Sequence, residues 1–171
     1  MGRWGCLRLL WIGAGCWLVL RPAGVRVQAE TFGRWQQSSR RCEVQQPVGP
    51  VVLCRGVQLD QRDAQVLRLS LEGEGPARGE LTQFTLVGAL VQGSEPMACR
   101  NGSCRLSRPL QLQLVSLSIV RFDARGLAQT LPPTWPVQGS CRIDPAALSC
   151  TASVVGSGDG ALQTWVLEAE L

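Results

Sequence analysis

Two cysteines stand with four residues between them in MACRNGSCRL, residues 97–106. Such a pair could clamp a metal, exchange disulfides, frame a glycosylated loop or staple a turn. The chain has eight cysteines; Cys6 and Cys16 fall in an N-terminal segment, leaving Cys42, Cys54, Cys99, Cys104, Cys141 and Cys150. A zinc site needs four ligands, usually built on a C-x2-C knuckle or on histidines. The chain has neither that spacing nor any His, and no metal ligand set is expected. A thioredoxin-like site needs C-x-x-C on a βαβ frame, and this too is missing. Asn101-Gly102-Ser103 matches the glycosylation sequon. A two-residue turn between bridged cysteines is a poor acceptor, and in a bacterial periplasm the sequon is silent.

The spacing suits a staple. Asn-Gly is the preferred pair for a two-residue type I′ hairpin turn. With that turn at 101–102, Arg100 pairs with Ser103, and Cys99 faces Cys104 in a non-hydrogen-bonded pair, with Cα atoms about 4.5 Å apart. That is the short end of what a disulfide accepts. In CRIDPAALSC a turn centred on Pro145-Ala146 sets Cys141 opposite Cys150 by the same reasoning. In CEVQQPVGPVVLC a loop at 47–49 sets Val44 beside Val52 and Cys42 beside Cys54. Three local hairpin bridges are expected.

The residue inventory excludes much catalysis. Histidine and tyrosine are absent, and all 17 basic residues are arginine. No imidazole or lysine amine exists to activate a serine or cysteine, or to form a Schiff base. Paired carboxylates could hydrolyse glycosides, and Asp60, Asp63, Glu72, Glu74, Glu80, Asp123 and Asp144 are available. Most sit beside turns or arginines and read as solvated turn and edge residues. The glycines of GEG (73–75) and GSGDG (156–160) open no helix after a strand, so they read as hairpin turns and not phosphate loops. GSGDG offers one carboxylate where calcium wants several. No catalytic residue and no cofactor is expected. Trp135, in the irregular stretch LPPTWP, is the ligand-binding candidate; the competing reading makes it a plug over the end of the core.

Period-two alternation positions these residues. Leu67, Leu69 and Leu71 share a face, as do Phe84, Leu86 and Leu90. PLQLQLVSLSIV alternates through Leu110, Leu112 and Leu114, then changes parity, which signals a β-bulge near Leu114 or a strand buried on both faces. Trp135, Val137, Cys141 and Ile143 align, as do Trp165, Leu167, Ala169 and Leu171. Turn signals separate the runs. The expected fold is all-β: an antiparallel sandwich or barrel of hairpins stapled by three disulfides, with at most one short helix, around 124–131.

Residues 1–29 have the anatomy of a secretory signal peptide: Arg3 and Arg8, an apolar run over 9–20, and small residues before Glu30. The rival is an uncleaved signal anchor. Residues 30–41 show no period and read as a flexible N-terminal arm; 42–171 form the disulfide-stabilised domain. Removing 1–29 takes four arginines and leaves 13 against the chain's 13 acids. The positive charge therefore belongs to the leader and argues for no nucleic-acid partner. No further apolar run is long enough to span a membrane after cleavage. The arginine-only usage fits a GC-rich bacterial genome. The reading is a secreted or periplasmic, non-catalytic domain, an envelope or extracellular binding or structural module with a protein, glycan or lipid partner. The alternative is a carrier of a lipid or other apolar ligand inside a barrel or curled sheet.

Overall fold

A computed structural model describes residues 31–155 and 161–171. The leader expected over 1–29 and the GSGDG turn at 156–160 lie outside the described residues. Twelve strands form one antiparallel-dominated sheet: β1 (Gly33–Ser38), β2 (Arg41–Gln45), β3 (Val52–Gln61), β4 (Val66–Glu74), β5 (Leu81–Leu90), β6 (Ala98–Arg100), β7 (Ser103–Arg105), β8 (Leu110–Phe122), β9 (Thr134–Pro136), β10 (Gln138–Ile143), β11 (Ala147–Val155) and β12 (Leu162–Glu170). Eight of them, β2, β3, β4, β5, β8, β10, β11 and β12, follow one another around a closed barrel, and β12 pairs back onto β2. The fold is a barrel, not a sandwich.

The alternating leucines explain the wall. Leu67, Leu69, Leu71, Phe84, Leu86 and Leu117 point inward and are completely buried. Outward positions include Gln58, Arg68, Gln111 and Gln113, the reverse of the apolar belt of a lipid-facing barrel. The parity change in β8 is a bulge. Val87 pairs with Ser116 and Gly88 with Leu114, so Val115 is the extra residue, and it is exposed. The inserted residue returns Leu117 to the inner face.

Closure rests on a short seam. β2 and β3 share only the pairs Glu43–Leu53 and Val44–Val52. The Cys42–Cys54 disulfide reinforces that seam. Across it, Gly73 of β4 approaches so closely that a Cβ there would strike the Val52 side chain and lie 3.0 Å from the Leu53 carbonyl oxygen.

Two expectations are corrected. The segment expected to be a loose arm over 30–41 contains β1, which pairs with β3 from Gly33–Gln61 to Ser38–Gly56. Its side chains are mostly polar, so its pairing is carried by backbone hydrogen bonds, with Trp35 alone packing against the core. The stretch 124–131 is not a helix, and no helix occurs among the described residues. Asp123 diverts the chain: its Oδ1 accepts hydrogen bonds from the Arg125 and Leu127 amides, both at 2.9 Å. Gly126 takes φ 80°, and Leu127 O accepts from the Asp123 amide at 2.8 Å. An Asx-capped reversal thereby satisfies the backbone groups that a helical turn would have used.

Candidate functional site

The six cysteines form the bridges Cys42–Cys54, Cys99–Cys104 and Cys141–Cys150. Cys99 stands opposite Cys104 and Cys141 opposite Cys150 in the strand register. Asn101 and Gly102 have φ 51° and 74°, the two positive values that a type I′ turn requires. At the other hairpin, Asp144 Oδ1 accepts hydrogen bonds from the Ala146 and Ala147 amides at 3.0 and 2.9 Å. All six sulfurs are buried and bonded, so none is a ligand or a nucleophile.

Trp135 lies on β9, opposite Leu117 of β8. It is half-buried, packs against the core, and stacks on the buried Trp165 with ring centroids 6.3 Å apart and planes 24° from parallel. The β9–β10 segment runs beside β8, and Trp165 lies near the start of β12, towards the end of the barrel that carries the loops 46–51 and 123–133. The loops of the same end expose Val48, Leu127 and Leu131, and Leu162 at the start of β12 is exposed beside them.

A second feature sits on the outer wall: a groove of about 760 Å³ over β1, β3 and β4. Register builds it. Asp60 of β3 faces Arg34 of β1 on one side and Arg68 of β4 on the other, while Ser70 of β4 faces Gln58 of β3. These outward positions converge because β1 adds a strand beyond the barrel edge at β3. Arg34 Nε donates to Asp60 Oδ1 at 2.7 Å, and Gln58 Nε2 donates to Oδ2 at 2.9 Å. Asp60 titrates below the ordinary aspartate value. Burial pushes it up, but hydrogen bonds from Arg34 and Gln58 and the charges of Arg34 and Arg68 outweigh that effect.

Not every polar group in the groove is satisfied. Ser70 is 4% exposed, and neither its hydroxyl nor Arg68 Nε, both buried, has a hydrogen-bond partner among the described residues. Native structures leave few buried polar atoms unpaired. Arg62, in the turn after β3, adds a third guanidinium at the groove. Three guanidinium groups against one carboxylate give this wall a surplus of positive charge in a domain that is otherwise near neutral.

Sequence reasoning placed Asp60 among solvated carboxylates and did not single out Arg34, Gln58, Arg68 or Ser70. The available signal was the outward parity of Arg68 and Ser70 between inward leucines. The partners came from register between distant strands, which alternation does not encode. Compared with protein-family models, curated proteins and solved structures, the chain finds no match in any of the three.

Proposed function

We propose that this chain is an exported, non-catalytic barrel domain that engages its partner on its outer surface, as a binding module of the bacterial periplasm or the extracellular space. The observation that carries this reading is the filled interior. A ligand chamber would leave accessible area on the side chains lining it, yet Leu59, Leu69, Phe84, Leu86 and Leu167 have none. Carriage of an apolar ligand inside the barrel needs space that these side chains occupy. Three intrachain disulfides suit an oxidising compartment, and residues 1–29 supply the export signal. The exposed aliphatic loop tips at the Trp135 end and the polar groove on the wall are both outward-facing surfaces suited to a protein, glycan or lipid partner.

The test is expression with the native leader in a bacterial host, followed by fractionation. The expected result is a periplasmic or secreted protein whose N-terminus lies at or within a residue or two of Glu30 and whose six remaining cysteines resist alkylation until reduced. A chain recovered with Met1, or cytoplasmic protein with free thiols, would overturn the export reading. Native mass spectrometry of the exported protein showing a lipid that survives until the barrel unfolds would favour carriage.

A further inference from the structure

We infer that the groove over β1, β3 and β4 binds a short acidic saccharide, with the sugar carboxylate held by Arg68 and Arg62 and the Ser70 hydroxyl. This inference rests on the reading of the chain as an outward-facing binding module and names the ligand class of one surface.

The charge comes first. Arg34 is committed through Nε to Asp60, whereas Arg62 and Arg68 make no ion pair among the described residues. Arg68 stands opposite Asp60 in the β3–β4 register, and its charge contributes to the lowered titration of that carboxylate. A guanidinium presents a planar fork that matches a carboxylate. Ser70 Oγ, nine-tenths buried and unpartnered, lines the same groove. Arg68 Nε and Ser70 Oγ lie beneath the groove surface without an acceptor among the described residues, and a carboxylate that displaces the side chains over them supplies one.

The remainder of the lining argues for a saccharide behind the carboxylate. Amide side chains of Gln58 and Gln83 line the groove, and the Phe32 ring stands exposed at its rim. Amides exchange hydrogen bonds with hydroxyls in both directions, and an exposed ring offers an apolar face to the C–H side of a sugar. The volume, about 760 Å³, lies within the range of small-molecule sites and holds two or three sugar units. A lipid chain would find no continuous apolar lining here.

The experiment uses the intact exported protein and isothermal titration calorimetry with three probes: a uronate trisaccharide, the same trisaccharide fully methyl-esterified, and inorganic phosphate. The uronate should bind, weakening as salt rises because the contacts are ionic. The ester should bind at least about tenfold more weakly, the factor expected from losing hydrogen bonds to a charged group. Arg68→Gln and Ser70→Ala should each reduce uronate binding. The exposed Arg62→Gln, which leaves the wall intact, should weaken it severalfold, so a folding defect in Arg68→Gln would not leave the idea untested. Equal binding of ester and uronate overturns the carboxylate assignment, and binding of phosphate alone overturns the saccharide. No binding of any probe by an exported, fully oxidised protein overturns the groove's ligand class, while leaving the export reading to its own N-terminal and alkylation test.

Discussion

Trp135 of β9 and Trp165 of β12 stack on each other, their ring centroids 6.3 Å apart. One ring comes from a three-residue strand between prolines, the other from the inner face of β12. Pro136 bounds the short strand and Pro133 precedes it, limiting how far its backbone can adjust. Replacing Trp135 with Ala removes the stack, worth about 0.5–1.5 kcal/mol, and opens a void beside Trp165. A destabilisation of about 2–3 kcal/mol is expected, below the 3–5 of a fully buried aromatic because Trp135 is only half-buried. Chemical denaturation measures it. A loss under about 0.5 kcal/mol, typical of surface positions, would show that the ring is a surface residue free to contact ligand.

The Cys42–Cys54 bridge closes the weakest join in the wall. Chain-entropy reasoning assigns about 3 kcal/mol to its loop and about 2 to the shorter Cys99–Cys104 loop. The structural difference is larger than that, because the β2–β3 seam holds only two paired positions whereas β6–β7 is an excursion outside the barrel. Paired Cys→Ser variants should therefore differ: loss of 42–54 should lower the denaturation midpoint clearly more than loss of 99–104. Equal midpoints would mean that β12–β2 pairing alone holds the barrel shut.

Gln61 is 2% exposed and works as a buried clamp. Its Oε1 accepts a hydrogen bond from the Met97 amide at 2.7 Å, and its Nε2 donates to Thr31 O and Met97 O at 3.0 and 3.3 Å. The residue thus fastens Thr31, just before β1, and Met97, just before β6, to the end of β3. Gln61→Leu keeps the volume but strands the backbone groups of Met97, and should cost about 2–3 kcal/mol. Hydrogen exchange should show loss of protection at Met97 before the core amides respond. Unchanged exchange there would assign the clamp no role.

Asp60 carries a pH signature. Its folded-state value is depressed below the ordinary 3.8, so the ionised form is the one the fold prefers. The resulting stabilisation is fully present above the ordinary value and is lost as pH falls through the depressed one. Asp60→Asn should lose about 1 kcal/mol at neutral pH, a figure discounted for the solvent around the half-exposed Arg34, and should show a shallower decline of stability in acid. Denaturant midpoints of the two proteins should converge as the pH drops. Parallel curves would remove Asp60 from the acid response.

What the sequence determined by itself was local. Leu67, Leu69 and Leu71 announce a strand because a period of two puts them on one face. Asn101-Gly102 and Pro145-Ala146 announce turns whose geometry brings the flanking cysteines together within a few residues. Each of these depends on dihedral preference and side-chain spacing within one hairpin. The parity change after Leu114 leaves a bulge and a doubly buried strand open, and the β5–β8 register decides for the bulge at Val115. The tertiary structure decided what depends on distant strands: that β12 returns to β2 and makes a barrel instead of a sandwich, that the polar segment 33–38 joins β3, and that Asp123 turns the chain where a helix was expected. Closure is set by strand twist and register accumulated around eight strands, and no single stretch of residues records that sum. The groove follows the same rule: Arg34, Asp60 and Arg68 are far apart in the chain and meet only because β1, β3 and β4 align in one register.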